Sequence, residues 1–313
     1  MPDNTTPGTV AGGAVPTPAI AGLAFKINES AMIPVESGQA VAKGWPASIG
    51  GKPVGVTWHW TVTHNLLVCR QVLGGRNAER KGEASAHYGI GRSFAEGVDR
   101  YVSLENRSFH AGIGQTMQFD GKALSSPDFK GSRSTIGVET VTIGAVDGSK
   151  AKPDFIRTAG PHGEPLFVQP WTEEQVAMMI AIGVEIVTRF PNIQPRHHHG
   201  HHDICPDRKI DVAGFPFARV LRGIYPKLEI PDVWTPLLTV RQRQRALIAL
   251  GFNLGASGAD GDFGQKSRDA LTLFQKQNGL FANTRWSTFV NWKLHDVFKA
   301  KGMDLAKVTG AAD

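Results

Sequence analysis

Cysteine is scarce in this chain of 313 residues, which contains only Cys69 and Cys205. At most one disulfide could form, so a disulfide-stapled fold is excluded, and we expect two reduced, unpaired thiols. The sequence also lacks the run of about twenty apolar residues that a membrane-spanning helix needs. We therefore expect no stable insertion into a membrane.

The N-terminus lacks the features of a secretory leader. Residues 1–22 are rich in Pro, Gly, Ala and Thr, and they hold no basic start followed by a continuous apolar run. We expect synthesis in the cytoplasm, with a separate device to carry the protein to any substrate outside it. Residues 1–30 are too poor in large apolar residues to fold alone and are interpreted as a flexible tail.

Acidic residues are outnumbered by Lys and Arg, which gives a formal net charge of +6. This balance favours an anionic partner, such as nucleic acid, a membrane surface or the bacterial cell wall, without choosing among them. The chain has no run of Lys and Arg with interleaved aromatic residues, the pattern typical of nucleic-acid binding. We therefore expect no nucleic-acid partner.

Two stretches predict buried β-strands, residues 54–61 and 135–143. Both are rich in β-branched and aromatic residues and carry large groups on both faces. Shorter strands are expected at residues 85–91 and 101–104. A helix is expected over residues 65–73, before two glycines.

Residues 144–170 are rich in Gly, Pro and charged residues and are interpreted as a long loop. After this loop, Thr172 and Gln175 have the spacing of a helix N-cap and its capping-box partner. Apolar residues then recur at helical spacing, which predicts a helix to about Arg189, just before Pro191.

The C-terminal part has the pattern of a small separate domain. Three prolines within residues 226–236 indicate a linker, which we place at residues 227–238, after a main domain at 31–226. Three helices are predicted beyond the linker, over residues 240–250, 267–277 and 287–299. Together they would form an independent domain at 239–300, followed by a frayed tail at 301–313.

Residues 200–211 place imidazoles, carboxylates and a lysine within a dozen positions. Neutral imidazole and carboxylate suit a divalent zinc ion, so we interpret this stretch as part of a zinc hydrolase site. His201 and Asp211 would supply two ligands and an upstream residue the third, with Cys205 as another candidate. Because five of the six residues at 197–202 are histidine, a solvated loop with adventitious metal affinity is the alternative.

Three upstream residues could complete such a site. His59 lies near the C-terminal end of the first predicted strand, where it is either a ligand or a core histidine that bonds a backbone carbonyl. Glu139 lies among apolar residues of the second strand, where a carboxylate is costly unless it is used or paired in a salt bridge. His110 has small neighbours, which would let a ligand approach the backbone.

Residues 54–220 resemble the zinc-dependent N-acetylmuramoyl-L-alanine amidases of the peptidoglycan-recognition and AmpD type. Six motifs follow in the order of that family, and together they are a specific signal, although each one is weak alone. They are VTWH at 56–59 with Thr61, SAHY at 85–88, FHAG at 109–112, IGVE at 136–139, TEEQ at 172–175, and GH at 200–201 with KID at 209–211.

The resemblance implies an α/β fold in which helices flank a mixed central β-sheet. It implies that Zn²⁺ is held by His59, His201 and Asp211. It further implies that Glu139 is the catalytic acid and Lys209 the catalytic lysine, and it places His110 in the substrate groove.

The remaining histidines of the matched region receive no ligand role. His87 is interpreted as structural or as a supporting residue around the site. Four others match no motif position of the family, and we predict that they do not bind the metal; they are His197, His198, His199 and His202.

Residues 239–280 resemble the three-helix peptidoglycan-binding domain. The match rests on DGDFG at 260–264, FQ at 274–275 and NGL at 278–280, with one departure at Arg243, where that family usually has an apolar residue. The resemblance implies peptidoglycan as the partner, and we expect a monomer. We expect that deletion of residues 239–313 preserves activity on soluble fragments and weakens attachment to the wall polymer.

The implied reaction is hydrolysis of the amide between N-acetylmuramic acid and L-alanine, which degrades the bacterial cell wall. A phage endolysin that reaches the wall through a membrane-permeabilising partner fits the missing leader, and so does an interbacterial antimicrobial effector. The alternatives are a non-catalytic peptidoglycan receptor on the same fold, which typically lacks a complete ligand set, and a zinc protease or other peptidoglycan peptidase.

Overall fold

The computed structural model describes residues 24–37, 40–74, 84–112, 117–119, 122–125, 131–232 and 239–310. The strands in these ranges are β1 (Ile27–Asn28), β2 (Val41–Ala42), β3 (Gly55–Trp60), β4 (Tyr88–Ile90), β5 (Val98–Arg100), β6 (Arg107–Ser108), β7 (Met117–Phe119), β8 (Lys122–Ser125), β9 (Thr135–Thr140), β10 (Ala145–Val146), β11 (Ile156–Ala159), β12 (Pro165–Val168) and β13 (His198–Gly200). The α-helices are α1 (Leu66–Leu73), α2 (Glu173–Arg189), α3 (His201–Ile204), α4 (Phe217–Ile224), α5 (Val240–Ala249), α6 (Gln265–Gln277), α7 (Thr288–Ala300) and α8 (Leu305–Thr309). No helix of the described ranges is both long enough and apolar enough to cross a bilayer.

A six-stranded sheet in the order β1-β5-β4-β9-β3-β13 is the centre of the molecule. β4 and β5 pair antiparallel, and the other four pairings are parallel. The predicted mixed α/β fold is therefore confirmed.

The main core lies between this sheet and α2. Every residue of β3 and β9 is buried, as their β-branched and aromatic composition predicts. α2 begins with the predicted capping box, in which Thr172 and Gln175 bond each other's backbone N–H groups. Its fully buried side chains in this core are Met178, Met179, Ile182 and Ile186.

The strand predicted at residues 101–104 is wrong, because the ladder ends earlier. β5 pairs with β4 only from Val98 to Arg100. The N–H groups of Tyr101 and Val102 then both point at the carbonyl of His87, at 2.8 and 3.4 Å, so regular pairing stops there. These two residues are large and apolar because they fill a second core cluster, not because they form a strand.

The long loop predicted at residues 144–170 is also wrong. This segment forms an antiparallel three-stranded sheet in the order β10-β12-β11. Pro165 is the first residue of β12, a position where a strand tolerates proline, and Leu166 and Val168 bury their side chains in the main core. Gly and Pro in this stretch mark the turns between short strands.

Both chain ends are more ordered than the sequence indicated. The predicted tail over residues 1–30 includes β1, which pairs with β5, and the buried side chain of Phe25. The predicted C-terminal tail over residues 301–313 includes α8, whose Leu305 enters the core of the small helical region. Residues 1–23 and 311–313 lie outside the described ranges.

The C-terminal helices pack against the main domain as well as against one another. α5, α6 and α7 surround a core of their own, in agreement with the predicted helical region. Phe289 and Trp292 on α7, however, are buried in the core of the main domain. Ile230, in the predicted linker, is buried there as well, and residues 233–238 lie outside the described ranges.

The contacts of Arg243 explain why this position departs from the peptidoglycan-binding pattern. Its buried guanidinium donates hydrogen bonds to the carbonyls of Ala159 (2.7 Å), the last residue of β11, and of Gly160 (2.8 Å), which follows it. Its cationic centre also lies 5.1 Å from the ring centre of Trp286. An apolar residue at this position could not bridge the two parts of the chain.

Candidate metal centre

Parallel pairing brings two of the predicted ligands together. In the register of β3 and β13, Trp58 lies beside Gly200. The residues that follow these two are His59 and His201, which therefore meet at the carboxyl ends of the strands. Asp211 approaches the same point from the segment after α3. All three side chains are buried.

The three donor atoms form a nearly equilateral triangle. His59 Nδ1 lies 3.1 Å from His201 Nδ1 and 3.3 Å from Asp211 Oδ2, and His201 Nδ1 lies 3.1 Å from that same oxygen. Zinc ligands at about 2.0–2.1 Å in a tetrahedral arrangement are about 3.3 Å apart. The spacing and the donor set of two imidazoles and one carboxylate therefore fit a zinc ion.

Hydrogen bonds at the Nε2 atoms of His59 and His201 leave the Nδ1 atom of each ring to bind a metal. The carbonyl of Ala111 can only accept, so His201 donates to it from Nε2 at 3.1 Å. The carbonyl of Thr135 likewise accepts from His110 Nε2 at 2.9 Å, which leaves His110 Nδ1 to accept from His59 Nε2 at 2.9 Å. Such bonds hold ligating histidines in one tautomer and orientation.

The Asp211 carboxylate is the charge around which the two imidazoles are arranged. Burial and the charge of His201 lower the pKa of His59 to about 4. Burial opposes protonation of His201, yet the Asp211 carboxylate outweighs it and raises the pKa of that imidazole to about 10. A divalent cation bound at Nδ1 has to displace that proton.

Glu139 lies beside His59 because β9 and β3 pair in parallel with these two residues in register. Its Oε1 is 3.9 Å from His59 Nδ1. Its Oε2 is buried and has no hydrogen-bond partner among the described residues. Burial, followed by the nearby Asp211 carboxylate, raises the pKa of Glu139 to about 8. A buried carboxyl oxygen without a protein partner is available to a reacting group.

Lys209 is half-buried two residues before Asp211. Its ammonium is near enough to act on two neighbours in the site. Burial is the largest influence on the pKa values of His59 and Glu139. The positive charge of Lys209 is a smaller influence, and it favours a lower pKa for both groups. The structure thus brings His59, His201, Asp211 and Glu139 together, with Lys209 near enough for its charge to act on this group.

The ring of His110 lies behind His59. A groove residue needs a ring nitrogen that is available to substrate, but both ring nitrogens of His110 bond protein atoms behind His59. Its side chain is buried, whereas the neighbouring Phe109 is 40% exposed. His110 therefore supports His59 through a hydrogen bond, and its place in the substrate groove stays a prediction.

We expect His110→Leu to lower the affinity for Zn²⁺ by about 10–100-fold, because His59 Nε2 loses its acceptor. Competition with a chelator measures this loss, and Phe109→Ala in the same loop is the control that leaves affinity unchanged. Equal affinity in His110→Leu and the wild-type protein would rule out this supporting role.

The other histidines bond protein groups away from the three donor atoms. His198 lies between Trp58 Nε1 (3.2 Å) and the hydroxyl of Tyr225 (2.9 Å). His199 bonds the hydroxyl of Thr57. His87 accepts from the N–H of Gly137, and both cysteine thiols are buried and free of disulfides.

Asp203 is the residue of this region that sequence reasoning missed. It is fully buried two residues after His201, and its carboxylate contacts α7 of the C-terminal helices. No local pattern could identify it, because Asp203 and Thr288 are 85 positions apart.

The fold and the three convergent donors define an α/β protein with a candidate metal centre at the carboxyl ends of its central strands. Residues 50–214 match the family model of the N-acetylmuramoyl-L-alanine amidases, Amidase_2, over more than half of the chain. The chain belongs to this amidase family. Residues 238–283 match a second family, described as a putative peptidoglycan binding domain.

Solved structures of similar fold have low sequence identity to this chain. The amidase AmiD from E. coli, in complex with anhydro-N-acetylmuramic acid-L-Ala-D-gamma-Glu-L-Lys, is 16% identical with a TM-score of 0.46, over 82% of this chain and 93% of that one. AmpDh3 from Pseudomonas aeruginosa is 18% identical with a TM-score of 0.45, over 80% and 92%.

One curated protein shares a short segment with this chain. The type VI secretion system spike protein VgrG3 of Vibrio cholerae is 60% identical over 37 residues. The segment is 12% of this chain and 4% of the spike protein, so the chain spans only a small part of that relative.

Proposed function

We propose that this protein hydrolyses the amide bond between the lactyl group of N-acetylmuramic acid and the L-alanine of the stem peptide, in a zinc-dependent reaction. The observation that carries the proposal is the triangle of His59, His201 and Asp211 donors with Glu139 beside it. Membership of the amidase family supports the substrate class.

The three donor residues would hold a zinc ion, which polarises a carbonyl and acidifies water when it is bound. Glu139 takes a proton from the attacking water and delivers it to the amide nitrogen as the C–N bond breaks. Lys209 stabilises the negative charge that develops on the carbonyl oxygen, a contribution of about 3–4 kcal/mol for one donor in other hydrolases. The products are a lactyl carboxylate and a stem peptide with a free amino group on L-alanine.

Mass spectrometry of purified sacculi digested with the protein tests this proposal. We expect free stem peptides that begin with L-alanine and glycan strands of unchanged length, and no such peptides with Glu139→Gln. New reducing sugar ends, or cleavage within the peptide alone, would refute the assigned bond. A non-catalytic receptor would release nothing from the sacculi.

We further propose that the protein acts on the wall from outside the cytoplasm, as an endolysin or as an interbacterial effector. The short segment shared with a type VI spike protein favours the second setting. Fusion to an export leader should make expression lethal to a bacterial host, while expression without a leader is tolerated. Lethality without the leader would contradict this localisation.

A further inference from the structure

The segment that carries His201 lies against the C-terminal helices. β13 ends at Gly200 and α3 begins at His201, and both elements contact the beginning of α7. The family model for peptidoglycan binding ends at residue 283, before α7 begins, so this helix has no assigned role in the match.

One buried carboxylate joins the two parts. Asp203 Oδ1 accepts a hydrogen bond from the backbone N–H of Thr288 at 2.8 Å. Its Oδ2 accepts from the Thr288 hydroxyl at 2.6 Å and from the backbone N–H of Gly200 at 2.7 Å. Gly200 immediately precedes the ligand His201, so the same carboxylate fixes the start of α7 and the backbone next to a donor residue.

Further contacts with the segment before Asp203 hold α7 in place. The ring of Phe289 lies 5.6 Å from that of His199 on β13. Arg196, just before β13, makes two hydrogen bonds of 2.5 Å to Asp296 and lies 5.1 Å from the ring centre of Trp292. α7 is therefore a rigid support for Asp203.

We propose that Asp203 is a positioning residue for the metal centre, and that α7 is a working part of the catalytic unit. The proposal rests on the proposed function in one respect, namely that His59, His201 and Asp211 hold a divalent cation. It gives the C-terminal helices a role beyond attachment to the wall, because their third helix fixes the segment that supplies His201.

The physical basis is that a metal site tolerates only small displacements of its ligands. Donor atoms have to stay within about 0.5 Å of the productive geometry, which requires supporting bonds behind them. Loss of such a supporting group typically lowers metal affinity by about 10–100-fold. In Asp203→Asn, the amide nitrogen faces an N–H donor, so at least one of these hydrogen bonds becomes a repulsion. The substitution also removes the charge that pairs with His202 Nε2 at 3.1 Å from Asp203 Oδ1.

The test measures Zn²⁺ affinity of the full-length protein by chelator competition, with the melting temperature of the metal-free protein recorded alongside. We expect a 10- to 100-fold loss of affinity in Asp203→Asn. Thr288→Val should show a smaller loss in the same direction, and Thr288→Ser, which keeps the hydroxyl, should restore the wild-type value. The double variant Asp203→Asn with Thr288→Val should lose no more than Asp203→Asn alone.

Asp296→Asn is the matched control, because it removes the same charge from the same interface but leaves every hydrogen bond of Asp203 in place. It should lower the melting temperature and reduce Zn²⁺ affinity far less than Asp203→Asn does. Equal affinity loss in Asp296→Asn and Asp203→Asn would reduce Asp203 to a general stabiliser and overturn the proposal. So would unchanged affinity in Asp203→Asn.

Failure of this inference is distinguishable from failure of the proposed function. A wild-type protein that binds Zn²⁺ but cleaves no amide refutes the function, while the affinities of the variants still decide the role of Asp203. A wild-type protein that cleaves the amide, with variants of normal affinity, refutes the inference alone.

Discussion

Glu139→Gln is expected to lower amidase turnover by about 10²–10⁴-fold while Zn²⁺ stays bound, because proton transfer is lost and the three donors are intact. Glutamine has nearly the same shape and carries no charge. Since burial and then Asp211 already disfavour the ionised form of Glu139, the neutral side chain costs the metal-free fold little. Turnover of a soluble muropeptide and the metal content of the same sample measure both effects.

Glu185→Gln is a suitable control for this variant. Glu185 is another buried carboxylate, but it forms an ion pair with Arg100. Its replacement leaves a buried guanidinium without that charge and should lower stability, while the folded fraction keeps wild-type turnover. Substantial turnover in Glu139→Gln would remove Glu139 from the mechanism.

Deletion of residues 239–313 is expected to abolish the soluble, active enzyme, contrary to the expectation from sequence. The deletion exposes the core surface that Phe289 and Trp292 cover, at roughly 1.5–3 kcal/mol for each of these side chains. It also leaves the buried carboxylate of Asp203 without Thr288. The sum is comparable with the whole stability of a typical domain, about 5–15 kcal/mol.

Soluble yield, melting temperature and turnover of a soluble muropeptide measure the effect of the deletion. A chain shortened only by residues 311–313 controls for the altered terminus and should behave as the wild type. A protein that ends at residue 238 and keeps the wild-type melting temperature and turnover would contradict this expectation. The C-terminal helices would then be dispensable, and their packing against the main core would add nothing to the free energy of unfolding.

Local patterns in the sequence predict the main elements of this fold. Strong β-branched runs predict β3 and β9, and the spacing of Thr172, Gln175 and the apolar positions predicts α2 and its first turn. The strands within residues 144–170 are not predictable in this way, because they are short and lie between Gly and Pro turns. They carry too few residues to show a clear alternation of apolar and polar side chains.

The site was predictable in composition and not in arrangement. The residues His59, Glu139 and His201 come from motif resemblance, but their approach depends on the parallel registers of three strands that are far apart in sequence. The roles of His110 and Asp203 depend on tertiary hydrogen bonds that leave no periodic signal. Arg243 was visible only as a mismatch with the peptidoglycan-binding pattern, and its reason lies in the carbonyls that it bonds.

The central claim is that three side chains from β3, α3 and the segment after α3 bind one divalent cation. Anomalous diffraction at the zinc edge, from crystals of the full-length protein grown with zinc, tests it directly. We predict one dominant peak within bonding distance of His59 Nδ1, His201 Nδ1 and Asp211 Oδ2. A dominant peak on the histidines at 197–199 or on Cys205, or an active enzyme with no peak at the three donors, would contradict the account.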